Sequence, residues 1–153
     1  MKEVERITDQ LDRAFQGEAW HGPSISEALA DLTSEQAAAK PIATAHSIWE
    51  LVLHIRAWKD IVRKRLSGEK VEPTPEEDWP PVIDNSEDAW QMAVKELRES
   101  HEALLTTVKQ LEDARLEEKV PGKNDSIYLV LHGLIQHDLY HTGQLVLLKK
   151  TLG

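Results

Sequence analysis

Apolar residues recur at three- and four-residue spacing in four long segments of this 153-residue chain, and this periodicity constrains the fold more than any other feature. Each segment carries one apolar stripe, which predicts the inward face of a helix. The stripes are Val4, Ile7, Leu11 and Phe15; Leu51, Ile55, Trp58 and Val62; Trp90, Val94, Leu97, Leu104, Val108 and Leu111; and Ile127, Val130, Leu131, Leu134, Leu145 and Leu148. No segment alternates as a strand does. The sequence therefore predicts an all-α fold, a four-helix bundle formed by one domain of residues 1–153.

Capping signals and prolines predict where the helices begin and end. Ser47 and Glu50 form an S-x-x-E signal before the second helix, which is predicted to end at Leu66. Four prolines in residues 69–84 predict a long irregular connection between helices two and three. Such a connection could cross the bundle, leaving helices two and three parallel and helices two and four antiparallel. The remaining predicted boundaries are Asn85 or Ser86 before helix three, and Asp125 or Ser126 to about Lys150 for helix four.

Composition argues against several classes of partner. With 27 acidic and 18 basic residues the formal net charge is −9, so we expect no nucleic-acid partner. No run approaches the roughly 18 apolar residues of a membrane span, and the first residues lack the apolar core of a signal peptide. These features predict a cytoplasmic protein with no membrane partner. The absence of Cys excludes thiolate metal ligands and a protein thiol nucleophile.

Two histidines interrupt the apolar stripe of the fourth helix. Stepping from Leu134 by three and four residues reaches His137 and then His141, so both imidazoles lie on one face, one turn apart. A buried imidazole without a partner costs about 1–3 kcal/mol. The spacing is that at which two imidazoles hold one metal ion, although core histidines satisfied by hydrogen bonds have the same spacing.

A third histidine favours the metal interpretation. His54 lies at the edge of the inward stripe of helix two, beside Leu51 and Trp58. If helices two and four are antiparallel, the depth of His54 differs from those of His137 and His141 by roughly 3–9 Å at 1.5 Å per residue. The spacing therefore predicts that the three imidazoles converge.

The other histidines and the acid beside the pair receive simpler interpretations. His46 is the alternative to His54 as a ligand, and His101, within a charged stretch, is predicted to be a solvated surface residue. His132 is predicted to point away from the histidine pair. His21 is predicted to pack in a turn or to line the mouth of a pocket. Asp138 is interpreted as a surface residue or as a partner of the metal ligands.

Two segments resemble the DinB/YfiT-like superfamily, and especially its small bacterial DinB-like proteins. They are AHSIWELVLHIRAWKD and GLIQHDLYHTGQLVLLKK, and the similarity extends from about Trp20 to Lys150. The resemblance implies a four-helix bundle of up-down-down-up topology that binds one divalent metal ion, Zn or Ni, through three histidines. On this chain the ligand pattern matches His54, His137 and His141. The resemblance implies no DNA binding.

The resemblance also implies a range of functions. Some members of the superfamily are thiol transferases that use a low-molecular-weight thiol such as bacillithiol, and we expect such a small-molecule cosubstrate here. Metal-assisted hydrolysis is the alternative reaction, because the segment from His137 to His141 is similar to HExxH with Asp138 in place of the glutamate. A metal that only braces the bundle, in a non-enzymatic binding protein, is the other alternative. The sequence identifies no catalytic acid or base.

The expected site lies at the end of the bundle where helix two begins and helix four finishes. Trp58 is predicted to form an apolar wall there, and residues 20–23 are predicted to form part of a lid. We also expect a homodimer, because the resemblance suggests one and because Trp49 and Trp90 are predicted to leave apolar surface for a second copy to cover.

Overall fold

The computed structural model describes residues 1–152, and all of their regular elements are helices. The long helices are α1 (Glu3–Gln16), α4 (Ile48–Leu66), α6 (Glu87–Lys109) and α7 (Ile127–Thr151). Shorter elements are α2 (Ile25–Leu29), α3 (Ser34–Ala38), α5 (Pro75–Asp78) and a 3-10 helix (Asp113–Glu117). Extended pairing within residues 1–152 is limited to one isolated bridge between Lys119 and Ser126. The prediction of an all-α bundle is confirmed. None of the helices in residues 1–152 combines the length and the apolar character that crossing a membrane requires.

Serine side chains cap the starts of the three longest helices, α4, α6 and α7. The Ser47 hydroxyl accepts a hydrogen bond from the Glu50 backbone N–H at 3.1 Å, and the Glu50 carboxylate accepts one from the Ser47 N–H, so the predicted capping box is present. Ser86 caps α6 and Ser126 caps α7 through the side-chain hydroxyl alone, which decides between the two candidates at each start. These caps fix where each helix begins, and hence how far along the bundle axis every following residue lies.

Contacts between side chains show how α4 runs relative to α6 and α7. Trp49 packs against Trp90 with ring centroids 5.4 Å apart, and Arg56 forms an ion pair with Glu96, so residue numbers rise together along α4 and α6. These two helices are parallel, as the long connection predicts. The partners on α7 run the other way. His54 lies beside His141 and Lys59 beside Asp138, so α4 and α7 are antiparallel. The up-down-down-up order as a whole stays a prediction.

The buried apolar residues form two clusters, one toward each end of the bundle. One cluster includes Phe15, Trp49, Ile55, Leu97 and Leu145, and the other includes Leu11, Val62, Leu104, Leu131 and Leu134. On α4, α6 and α7 the residues between the two clusters include a buried polar side chain. We call Lys59, His101 and Asp138 the polar layer; each has 0% of its surface exposed. The core is therefore divided by polar groups, which must find partners within it.

Two predictions about exposure are wrong. His101 is fully buried, because it lies four residues after Leu97 and three before Leu104, on the apolar stripe of α6 rather than on its charged face. Trp49 and Trp90 are also buried, with 3% and 1% of their surfaces exposed, and the Trp90 indole donates a hydrogen bond to the Leu32 carbonyl at 2.9 Å. Neither tryptophan leaves apolar surface for a second copy to cover.

Candidate metal centre

Three imidazoles from two helices converge where α4 faces α7. His54 comes from the second turn of α4, and His137 and His141 come from successive turns of α7. One ring nitrogen from each residue lies within 4.8 Å of the others, and the Nε2 atoms of His54 and His137 are 3.0 Å apart. The structure therefore brings together the three residues that the sequence selected. His46 does not join them; its ring bonds the Glu50 carboxylate at 2.9 Å.

Hydrogen bonds behind two of the rings fix which nitrogen carries the proton. The Nδ1–H of His54 donates to the backbone carbonyl of Asp78 at 2.6 Å, and the Nδ1–H of His141 donates to the Gln144 side-chain oxygen at 2.6 Å. Each bond leaves the Nε2 atom with a free lone pair. Metal-binding histidines are usually oriented by acceptors of this kind.

Burial keeps the three rings uncharged at neutral pH. It lowers the pKa of His54 and of His141 below the usual value for histidine. Burial, together with the charges that the two neighbouring imidazoles would carry, lowers the pKa of His137 to about 3. Three neutral imidazoles are Lewis bases, which is the form that binds a divalent cation.

The arrangement fits a divalent metal ion. At a Zn–N distance of about 2.0–2.1 Å, two ligands of a tetrahedral ion lie about 3.3 Å apart, close to the observed separation of the His54 and His137 nitrogens. No carboxylate of residues 1–152 joins the three-histidine group. The protein thus offers three ligands and leaves further coordination positions for another molecule.

The proline-rich connection supplies two residues behind His54. The Trp79 indole stacks between the rings of His46 and His54, at centroid distances of 3.6 and 3.7 Å. The Asp78 carboxylate accepts a hydrogen bond from the Trp58 indole at 2.7 Å, while its backbone carbonyl accepts the bond from His54. Neither residue is predicted from the sequence. The available signal was a short helix with a Thr-Pro start, Thr74-Pro75, that ends in an acid, Asp78, with an aromatic residue directly after it.

A groove between α4 and α7 leads away from the three imidazoles. Its volume is about 510 Å³. It is lined by His54, Trp58, Val62, Arg65, Asp78, Asp125, Leu129, Val130, Gly133, Leu134, His137, Tyr140 and His141. Trp58 forms an apolar wall as predicted. The groove runs toward the end of the bundle where α4 finishes and α7 begins, and not toward the opposite end, where the site is expected. None of residues 20–23 lines it, and His21 is exposed with its ring against the Pro23 carbonyl at 3.1 Å.

Asp138 faces the core and not the groove. The buried residues on one side of α7 are Leu134, Asp138, His141 and Leu145. The sequence predicts His137 on that buried side, and the structure places the next residue, Asp138, there instead. The Asp138 carboxylate accepts a hydrogen bond from the Lys59 ammonium at 2.7 Å, and neither residue is exposed. Burial raises the pKa of Asp138, and the Lys59 ammonium opposes this. Asp138 is therefore not a surface residue, and it does not occupy the place of the base in an HExxH site.

Fold and site together define a helical-bundle protein with a three-histidine group that could hold a metal ion at the end of an open groove. The family model of the DinB superfamily matches residues 19–145, which is most of the chain. The chain belongs to the DinB superfamily. A comparison with curated proteins gives no match.

Proposed function

We propose that this protein is a metal-dependent transferase that activates the thiol of a small cosubstrate, such as bacillithiol, for attack on an electrophile. The observation that carries the proposal is the convergence of three neutral imidazoles at one end of a largely apolar groove. Three protein ligands leave a divalent ion open to a further ligand, as in catalytic zinc sites. Imidazole suits both Zn and Ni, so we propose one of these ions.

The roles of the surrounding residues follow from their contacts. A bound divalent cation would lower the pKa of a thiol in the groove and stabilise the thiolate. The Asp78 carbonyl and the Gln144 amide hold two of the rings in position, and Trp79 covers one face of His54. In the transfer, the sulfur forms a bond to the electrophilic carbon, the leaving group departs with its electron pair, and the thiol proton passes to solvent.

The experiment is a transfer assay with metal-loaded protein, bacillithiol and monochlorobimane, followed by fluorescence of the product. We expect a rate above background that is lost with a chelator and in His54→Ala. The matched control is His132→Ala, on α7 outside the three-histidine group, which should keep the rate. Failure to accelerate the reaction across a panel of cellular thiols, with metal fully bound, would contradict the proposal and favour a hydrolase or a metal-braced binding protein.

Location and assembly are also part of the proposal. A reaction that consumes a free thiol suits the cytoplasm, where thiols are kept reduced. We further propose a homodimer on the basis of family membership, without the support expected from Trp49 and Trp90. Light scattering at micromolar concentration should give about twice the chain mass of 17.4 kDa, and the mass of one chain would contradict the dimer.

A further inference from the structure

Arg65 is a buried cation with no carboxylate at ion-pair distance, because Glu72, whose carboxylate feels the Arg65 charge, is paired instead with Lys123 at 2.8 Å. Only 9% of its surface is exposed, yet it forms no ion pair with any of residues 1–152. Its Nε and Nη2 atoms both donate to the Val71 carbonyl, at 3.3 and 3.0 Å, and the guanidinium lies 5.6 Å from the Trp58 ring centroid. A guanidinium has five N–H groups, so three remain without a partner in these contacts. Arginine is seldom buried to this extent unless it is paired.

Arg65 lines the same groove as the three imidazoles. It lies on the same face of α4 as His54, toward the opposite end of that helix. His54, Trp58, Val62 and Arg65 follow each other at three- and four-residue spacing on α4, and all four line the groove. Eleven residues at 1.5 Å per residue place Arg65 about 16 Å along the helix from His54. The wall between them is apolar, formed by Trp58 and Val62 from α4 and by Leu134 from α7.

The two carboxylates that line the groove leave the Arg65 guanidinium free. Asp78 accepts the hydrogen bond from the Trp58 indole and lies beside His54. Asp125 is exposed and forms no ion pair with Arg65. The guanidinium therefore offers its free N–H groups to whatever enters the groove, and a planar fork of this kind suits a carboxylate.

We propose that Arg65 is the subsite for the carboxylate of an elongated ligand, whose apolar body lies along Trp58 and Val62 and whose other end reaches the three histidines. This inference rests on the proposed function for the identity of that other end, a thiol. The ligand class is thus a thiol that carries a carboxylate some distance away, joined by an apolar segment. Both the charge and the length of the ligand contribute to recognition.

The test compares ω-mercaptoalkanoic acids with ω-mercaptoalkanols of the same chain lengths, from the propyl to the undecyl compounds, by calorimetric titration of metal-loaded protein. We expect an optimum length at which the acid binds about tenfold to a hundredfold more tightly than the alcohol, the ratio given by a charge-assisted hydrogen bond. Arg65→Met should abolish this ratio, and Arg65→Lys should keep part of it. The matched control is Arg63→Met, on the same helix but outside the groove, which should retain the full ratio.

The ratio separates a subsite from a merely structural role. If Arg65 only tethers the Val71 carbonyl, Arg65→Met weakens acid and alcohol equally and leaves their ratio unchanged, which would overturn the proposal. Equal binding of acids and alcohols by the unaltered protein would also overturn it.

A second arm uses metal-free protein with simple alkanoic acids and alkanols, so that neither metal nor transfer chemistry enters the measurement. An acid preference that depends on Arg65 in this arm supports the subsite even if the protein proves not to be a transferase. A protein that transfers thiols but shows no acid preference in either arm would refute the subsite alone.

Discussion

Removing the Lys59 ammonium with Lys59→Met should destabilise the protein strongly, because the Asp138 carboxylate would lose its partner. The two groups are 2.7 Å apart and neither side chain is exposed. Breaking a buried pair by removing one partner costs about 3–5 kcal/mol, since the remaining charge is left in a medium of low dielectric constant. For a domain of this size each kcal/mol lowers the melting temperature by about 2–4 °C, so we expect a decrease on the order of 10 °C.

The measurement is urea unfolding of the native protein and of Lys59→Met at pH 8, with metal removed. The matched control is Lys64→Met, which removes an exposed lysine from the same helix and should change the unfolding free energy by less than about 0.5 kcal/mol. Combining Lys59→Met with Asp138→Leu should cost less than Lys59→Met alone, because no charge is left behind. A loss under about 1 kcal/mol in the single variant would refute the reasoning.

The loss should also depend on pH in a defined direction. Burial raises the pKa of Asp138 above its value in the unfolded chain, and Lys59 opposes that shift, so removing Lys59 raises the pKa further. A carboxyl whose pKa is higher in the folded state destabilises the fold fully above that pKa. The penalty decreases as the pH falls below it and vanishes below the pKa of the unfolded chain. The difference between Lys59→Met and the native protein should therefore shrink as the pH is lowered from 8. A difference that grows toward low pH would contradict this account.

Other contacts give further predictions. A divalent ion at a hundred times its Kd should stabilise the native protein by about 2.7 kcal/mol in thermal melts but leave His137→Ala unchanged, and an equal shift in both would exclude the three-histidine site. Burial, with a smaller contribution from the Lys59 charge, lowers the pKa of His101 to about 4, although Asp12 opposes this. Between this pKa and the ordinary histidine value of about 6.5, the unfolded chain binds a proton at His101 that the folded protein does not. Urea unfolding should show stability falling by up to about 3 kcal/mol between pH 6.5 and 4, and this contribution should be missing in His101→Leu. Gly133 and Gly143 are helical and a Cβ at either meets no atom within 4 Å, so alanine at each should raise the unfolding free energy by about 0.5–1 kcal/mol. Only Gly133→Leu, whose side chain would enter the groove, should weaken thiol binding in calorimetric titrations, and equal weakening by Gly143→Leu would contradict this.

Local signals predicted the helices and the three imidazoles well, because both depend on spacing along one helix. The Ser47 cap and the apolar stripe of α4 set the depth of His54, and the i, i+4 spacing placed His137 and His141 on one side of α7. The convergence of the rings then required only that the two helices be antiparallel.

Residues whose position depends on a distant partner were missed. The charged neighbours of His101 in sequence indicate a surface position, although its spacing from Leu97 and Leu104 places it on the buried stripe. Lys59 lies in the same way between Ile55 and Val62, and its partner Asp138 is 79 residues away. The Thr-Pro start of α5 is visible in the sequence, but a helix of one turn has no periodicity to indicate that Asp78 and Trp79 would reach His54.

The polar layer and the three histidines are physically linked through α7. Asp138 is the residue after His137 and lies three residues before His141, so whatever holds Asp138 in place also sets the rotation of α7 about its axis. An apolar contact between α4 and α7 would tolerate small rotations of α7 about its axis, whereas the hydrogen bond from Lys59 to Asp138 requires one orientation of that helix. Buried ion pairs stabilise little in net terms, and fixing a register is their best-supported role. In this bundle the register that the pair fixes is the one that turns His137 and His141 toward His54.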